Sequence, residues 1–242
     1  ESKKHAINYY KKNHQFVWIP PINSFVADRI KMLKESPKKN EIIFITRFNS
    51  HKQNDLFFKL FNEYLSNYTF KFIIGNGGVP KNTLNKINVL SSKFNISIKI
   101  LKKIPEVEKF RELSKSKCLI FFSEFEGLGL PPYEALYVGT RCICLELDVL
   151  TEISNNIIFT NSDKILDDIK TIKYENVISD KNVENIFKFK NSATRLNSLI
   201  DEIYLIKKTK KKPNNIILFF SIIVMSLRYF IYTIFHKINI KI

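Results

Sequence analysis

The sequence predicts an α/β fold: a mainly parallel sheet of about six strands flanked by helices. Two observations predict it. Short apolar runs rich in β-branched and aromatic residues recur along the middle of the chain. Between them lie segments whose apolar residues fall at helical spacing. Strands that alternate with helices imply right-handed crossovers, hence a parallel sheet covered on both faces.

The elements follow in order. Trp18-Ile19-Pro20-Pro21 is not helical, because proline pushes its predecessor to extended geometry, so the first residues read as an extended leading segment. "EIIFIT" (41–46) is the first buried strand. "NDLFFKLFNEYLSN" (54–67) places Phe57, Leu60, Phe61 and Tyr64 on one helical face, with Asn54 as N-cap. "FKFIIG" (70–75) is a second strand. "PKNTLNKINVLSSKF" (80–94) is a helix that opens on proline. "ISIKIL" (96–101) is a third strand, and "PEVEKFRELSKS" (105–116) a helix with acidic residues in its first turn. "CLIFFS" (118–123) is a fourth strand. "PPYEALYV" (131–138) is a helix stopped by Gly139. "RCICLEL" (141–147) and "NIIFT" (156–160) complete the six strands. Leu196, Leu199, Ile200, Ile203 and Tyr204 mark a last amphipathic helix.

Three divisions follow from this pattern: an extended entry segment over 1–24, a Rossmann-like domain over 25–206, and a tail over 207–242. In the tail, five lysines (207, 208, 210, 211, 212) precede "IILFFSIIVMSLRYFIYTIF" (216–235), 20 residues with a single charge, Arg228. A helix of that length matches a bilayer core of roughly 30 Å. It reads as membrane-associating, spanning or in-plane, or else as a helix buried on a missing domain. The lysines would gain about 1 kcal/mol each near an anionic leaflet.

Net charge is +16, and of 39 basic residues only six are Arg. That excess of Lys fits a coding bias or an anionic partner, either membrane phospholipid or nucleotide phosphate. No zinc-ligand spacing, Arg-rich stretch or RNP-like aromatic strand points to nucleic acid. The three cysteines (118, 142, 144) lie in apolar runs without C-x-x-C spacing, so they read as reduced core residues of a cytoplasmic protein. The chain begins at Glu1, without Met or a signal peptide, as a fragment would.

In a parallel sheet of this kind ligands bind beyond the carboxyl ends of the strands. Four loops meet at that rim. In "TRFNSHKQ", Arg47 and Lys52 flank a helix start and suit a diphosphate; alone they also fit two solvated cations. In "IIGNGG", Gly75, Gly77 and Gly78 permit a tight turn and close approach of a ligand, yet the stretch is neither G-x-G-x-x-G nor a Walker A loop. The loop 101–105 holds Lys103 and Ile104. The fourth, "SEFEGLGLPPYEAL" (123–136), sets Glu126 and Glu134 around Gly127, Leu128 and Gly129. Pro131 and Pro132 begin the following helix, which puts Glu134 in its first turn, where a carboxylate is favoured and can accept from a vicinal diol such as ribose. Paired carboxylates also suit acid–base hydrolysis, but hydrolases rarely place both around one glycine loop with cations opposite.

The series strand, R-x4-K, GxG, then S-x-x-E-G-x-G-L-P-x-x-E-A-x-x-x-G resembles the carboxyl-terminal domain of the group 1 (family 4) retaining glycosyltransferases of the GT-B fold. The likeness runs from about Trp18 to Tyr204, and "EGLGLPPYEALYVGTRCI" is its most specific stretch. Their E-x7-E hallmark is matched by Glu126 and Glu134. The resemblance implies that Arg47 and Lys52 bind the donor's diphosphate and act in catalysis with Glu126. It implies that Glu134 holds the nucleotide ribose, that Glu126, Gly127, Leu128 and Gly129 meet the donor sugar, and that Lys103 and Ile104 lie by the base. No cofactor and no metal is implied, the cations taking the metal's place. Gln53 and "LKKIP" depart from the family, which often has Gly after the Lys and in the loop after the third strand.

The expected function is therefore donor binding for retaining transfer of a hexose to a surface polysaccharide, lipopolysaccharide or other lipid-linked acceptor. The place would be the cytoplasmic face of the membrane. An amino-terminal acceptor domain, or a partner chain, is implied as a further partner. Two other readings stand beside it: a donor-binding half without catalysis of its own, and a basic membrane- or nucleic-acid-binding protein whose core is only scaffold.

Overall fold

The computed structural model describes residues 21–22, 24–48, 52, 54–61, 65–75, 77–124, 126, 128–151, 156–173 and 181–209. The leading segment with Trp18, the site glycine Gly127 and the tail run 216–235 lie outside them.

Six strands form one all-parallel sheet in the order β3-β2-β1-β4-β5-β6. They are β1 (Lys39–Thr46), β2 (Thr69–Ile74), β3 (Ser97–Lys102), β4 (Ser116–Phe121), β5 (Arg141–Leu145) and β6 (Ile157–Thr160). Among the described residues the helices are α1 (Ser24–Ile30, continued by a 3-10 turn to Glu35), α2 (Asn54–Lys59), α3 (Lys81–Phe94), α4 (Glu106–Lys115), α5 (Leu130–Tyr137), α6 (Asp148–Thr151), α7 (Ile165–Thr171), α8 (Lys181–Phe187) and α9 (Phe189–Thr209). The expected Rossmann-like α/β architecture of about six strands is the one observed. The chain divides into two compact units after Lys188. In the second, α9 extends well beyond the 196–204 stretch whose periodicity predicts it.

Alternation along buried strands builds two cores. Ile43, Leu119, Phe121, Cys142 and Cys144 face one side, where Phe110 and Leu113 of α4 and Tyr133 and Leu136 of α5 cover them. Ile42, Phe44, Phe72, Ile120 and Ile143 face the other, under Phe57 of α2, Ile87 of α3 and Ile165 of α7. Phenylalanine dominates this second core: Phe44 stacks on Phe72 at 5.1 Å, and Phe57 meets Phe72 edge-on at 4.5 Å. Such ring pairs contribute about 0.5–1.5 kcal/mol beyond their buried area.

Two elements depart from the sequence expectation. The helix predicted over 54–67 ends at Lys59. There Leu60 and Phe61 donate to Phe57 and Phe58 through three-residue turns that tighten and end it. Leu60 and Phe61 are buried all the same. The helix predicted to open on Pro131 opens on Leu130, after Gly129 in the left-handed region (φ 63°). Glu134 is therefore its fifth residue and lies outside the first turn.

The cysteines are buried and free. Burial pushes the Cys118 thiol up to about 12, so it stays protonated and unreactive at neutral pH.

Candidate functional site

Because β1 lies beside β4, crossovers leave these two strands in opposite directions across the sheet. A crevice forms at such a switch point, beyond the carboxyl ends of the strands. The loops after β1 and β4 border it, and those loops hold Arg47, Lys52, Glu126, Leu128 and Gly129.

Lys52 and Glu126 meet there. The Lys52 ammonium donates to Glu126 Oε1, and their side chains keep 12% and 19% exposure. Ser123, fully buried two residues past β4, donates its hydroxyl to the same oxygen at 3.0 Å. The ammonium also sits 4.8 Å from the centre of the Phe121 ring. A small hollow beneath it is lined by Thr46, Asn54, Phe57, Phe121 and Phe122. Apolar walls lower the local dielectric and strengthen whatever electrostatic contact is made in the crevice. Arg47, one residue past β1, is exposed, and its backbone carbonyl accepts from Thr46 Oγ1 at 3.0 Å.

Glu134 has a different partner from the one its sequence position suggests. Lys109 Nζ donates to Glu134 Oε1 at 2.7 Å. The carboxylate is held by an ammonium from α4 rather than by the start of its own helix. The pair forms because α4 and α5 pack side by side on one face of the sheet. Lys109 is the functional candidate that sequence reasoning misses, since nothing in a chain with 39 basic residues singles it out.

The remaining predicted residues that the structure describes fall on the same rim. Gly129 is buried, and a methyl group there would come within 2.8 Å of Leu150 Cδ2. Leu128 is half-buried beside it. Gly75 follows β2, exposed, with open space where a Cβ would lie, so a ligand can approach the backbone there. Lys103 follows β3 in the left-handed region (φ 51°) and donates its backbone N–H to Ile74 O at 3.1 Å, which ties the third loop to the second. Ile104 is half-buried and packs on the first core. Among the described residues no group of three His, Cys, Asp or Glu side chains comes together as a metal site. Among them, too, no helix is long and apolar enough to cross a membrane.

Comparison with known proteins adds to this geometry. Residues 27–157 match the family described as glycosyl transferases group 1. The chain has no match among curated protein sequences. Similar solved structures include TarM of S. aureus, in complex with Fondaparinux, alpha-GlcNAc-glycerol and UDP (TM-score 0.59, 16% identity, 81% of this chain and 41% of that one). Another is sucrose-phosphate synthase of Thermosynechococcus elongatus (TM-score 0.59, 14% identity, 85% and 57%). A third is the lipopolysaccharide outer core galactosyltransferase WaaB in its apo form (TM-score 0.50, 16% identity, 78% and 53%). At these identities the likeness is one of fold, and the chain spans about half the length of the structures it matches.

Proposed function

The chain belongs to the group 1 glycosyl transferases, and from that premise we propose that it binds a nucleoside-diphosphate sugar and presents the hexose for transfer with retention of configuration. The observation that carries the reading is the meeting of Lys52 and Glu126 at the crevice between β1 and β4. A cation and a carboxylate set on opposing loops there match a ligand with an anionic diphosphate at one end and sugar hydroxyls at the other.

In the proposed reaction the bond between the anomeric carbon and the diphosphate oxygen breaks. An acceptor hydroxyl bonds to that carbon and gives up its proton, and the nucleoside diphosphate leaves with added negative charge. Arg47 and Lys52 offset that charge, which is electrostatic catalysis by groups already in place. Glu134, an acceptor-only group when ionised, takes the ribose hydroxyls. Glu126, with the loop at Gly127, Leu128 and Gly129, meets the sugar, while Gly75, Lys103 and Ile104 border the base. In this reading the two cations stand where other transferases use a divalent metal. A further domain, in the same polypeptide or on a partner chain, holds a glycan or lipid-linked acceptor. The lysines from 207 and the apolar run 216–235 set the enzyme against an anionic cytoplasmic membrane surface. The UDP in the TarM complex and the naming of WaaB as a lipopolysaccharide galactosyltransferase support the ligand and acceptor classes.

A thermal-shift screen of the full chain across UDP-, GDP- and ADP-sugars tests the reading. One nucleotide family should raise the melting temperature, by the stabilisation that any ligand of the native state confers. No shift with any of them at millimolar concentration would overturn it.

A further inference from the structure

We propose that Lys109 is a positioning residue for ribose recognition, acting through Glu134. The inference rests on the donor-site reading above and adds to it a residue from a different helix. Lys109 Nζ lies 2.7 Å from Glu134 Oε1, and the two side chains keep only 19% and 13% exposure. The lysine stem runs along α4 beside the Phe110 ring, whose centre is 5.0 Å from the ammonium.

A pair desolvated this far adds little net stability, because removing both charges from water offsets most of their attraction. Its effect is on geometry. The terminal torsion of a glutamate is broad and roughly two-fold, so a lone carboxylate presents either oxygen in either plane. An ammonium fixed on Oε1 settles which oxygen faces outward and leaves Oε2 to accept from a diol. A carboxylate that is purely an acceptor suits two hydroxyl donors. The arrangement parallels the other glutamate of the pair: Lys52 and Ser123 hold Oε1 of Glu126 in the same way. Each carboxylate is thus oriented by a lysine from another element.

Calorimetric titration of the full chain tests this. The ligands are whichever of UDP, GDP and ADP binds most tightly and its 2′,3′-dideoxy analogue. Lys109→Met should weaken the ribonucleotide about tenfold, as for a lost charge-assisted contact, and leave the dideoxy analogue unchanged. Lys109→Arg should restore most of the loss. In a Glu134→Gln background, Lys109→Met should cost nothing more. A purely structural role would instead lower the melting temperature and weaken both ligands together, which would overturn the proposal. Wild-type ribonucleotide binding by Lys109→Met alongside weak binding by Glu134→Gln would overturn it too. If no nucleoside diphosphate binds the wild type, or if Arg47→Ala binds like wild type, the donor-site reading falls and this inference falls with it.

Discussion

Lys52 reaches across the crevice to Glu126, 74 residues further along the chain, and the two share one hydrogen bond at the ends of β1 and β4. The cation best placed for a diphosphate is thereby already engaged by a carboxylate. A ligand anion must compete with Glu126 for it. Glu126→Gln should therefore tighten binding of a nucleoside diphosphate without its sugar, because it removes the competing charge. Lys52→Ala and Arg47→Ala should each weaken it by about 1–3 kcal/mol. Calorimetry on the three variants separates these signs, and weaker binding by Glu126→Gln would contradict the competition.

Gly129 is held at φ 63°, and a Cβ added there would meet Leu150 at 2.8 Å. An alanine there combines left-handed strain of about 1–2 kcal/mol with a contact that Leu150 must yield to. Gly129→Ala should lower stability by roughly 1–3 kcal/mol and weaken nucleotide-sugar binding, because the loop moves with α5. Denaturant unfolding gives the first quantity and a sugar-nucleotide titration the second; an unchanged midpoint would refute the clash.

Lys71 is a buried lysine of β2 that donates to Glu41 Oε2 at 2.7 Å and to Glu112. Burial pulls its pKa down, but the hydrogen bonds to Glu112 and Glu41 outweigh that and the net displacement is upward. Lys71→Met leaves two carboxylates facing each other without their cation. A loss of about 3–5 kcal/mol is expected, readable in chemical denaturation, and Glu41→Gln/Glu112→Gln in the Lys71→Met background should recover much of it.

Lys38 behaves in the opposite sense. Its ammonium donates to Ser114 O at 2.8 Å and Thr140 Oγ1 at 2.7 Å, both neutral acceptors. Burial lowers its pKa from 10.5 to about 8. Between those two values the unfolded chain binds the proton and the folded chain has released it. Lys38 therefore makes stability rise with pH from about 8 to 10.5 and contributes no slope below 8. Unfolding free energies of wild type and Lys38→Met at pH 7, 8, 9 and 10 should diverge in slope only above pH 8. Parallel curves throughout would exclude the lowered pKa.

Lys103 occupies a left-handed conformation (φ 51°) that suits glycine. Lys103→Gly should raise the melting temperature slightly or leave it unchanged, whereas Lys103→Val should lower it by the cost of a β-branched residue there, about 1–2 kcal/mol. Differential scanning calorimetry distinguishes the pair.

Much of the site was legible along the chain. Arg47, Lys52 and Glu126 stand on loops after strands and Glu134 in the helix that follows one, and a parallel sheet sends those loops to one edge whatever the strand order. The apolar runs 41–46, 70–75 and 118–123 are long enough and β-branched enough to be strands, because burial on both faces requires nearly continuous hydrophobic sequence. The elements read less well are short or mixed. α1, α7 and α8 have seven residues each, too few turns for periodicity to show. The sequence pattern overextends α2 because Leu60, Phe61 and Leu65 are buried at helical spacing from Phe57 although the helix itself ends at Lys59.

By itself, then, the sequence determined the layers of the fold and the rim on which the chemistry lies, since both follow from local hydrophobic pattern and turn residues. The tertiary structure decided the partnerships. Strand order put β1 beside β4, and so Lys52 against Glu126; the packing of α4 on α5 put Lys109 against Glu134. Pairings across 74 and 25 residues depend on which strands and helices become neighbours, a global outcome that no window of the sequence contains.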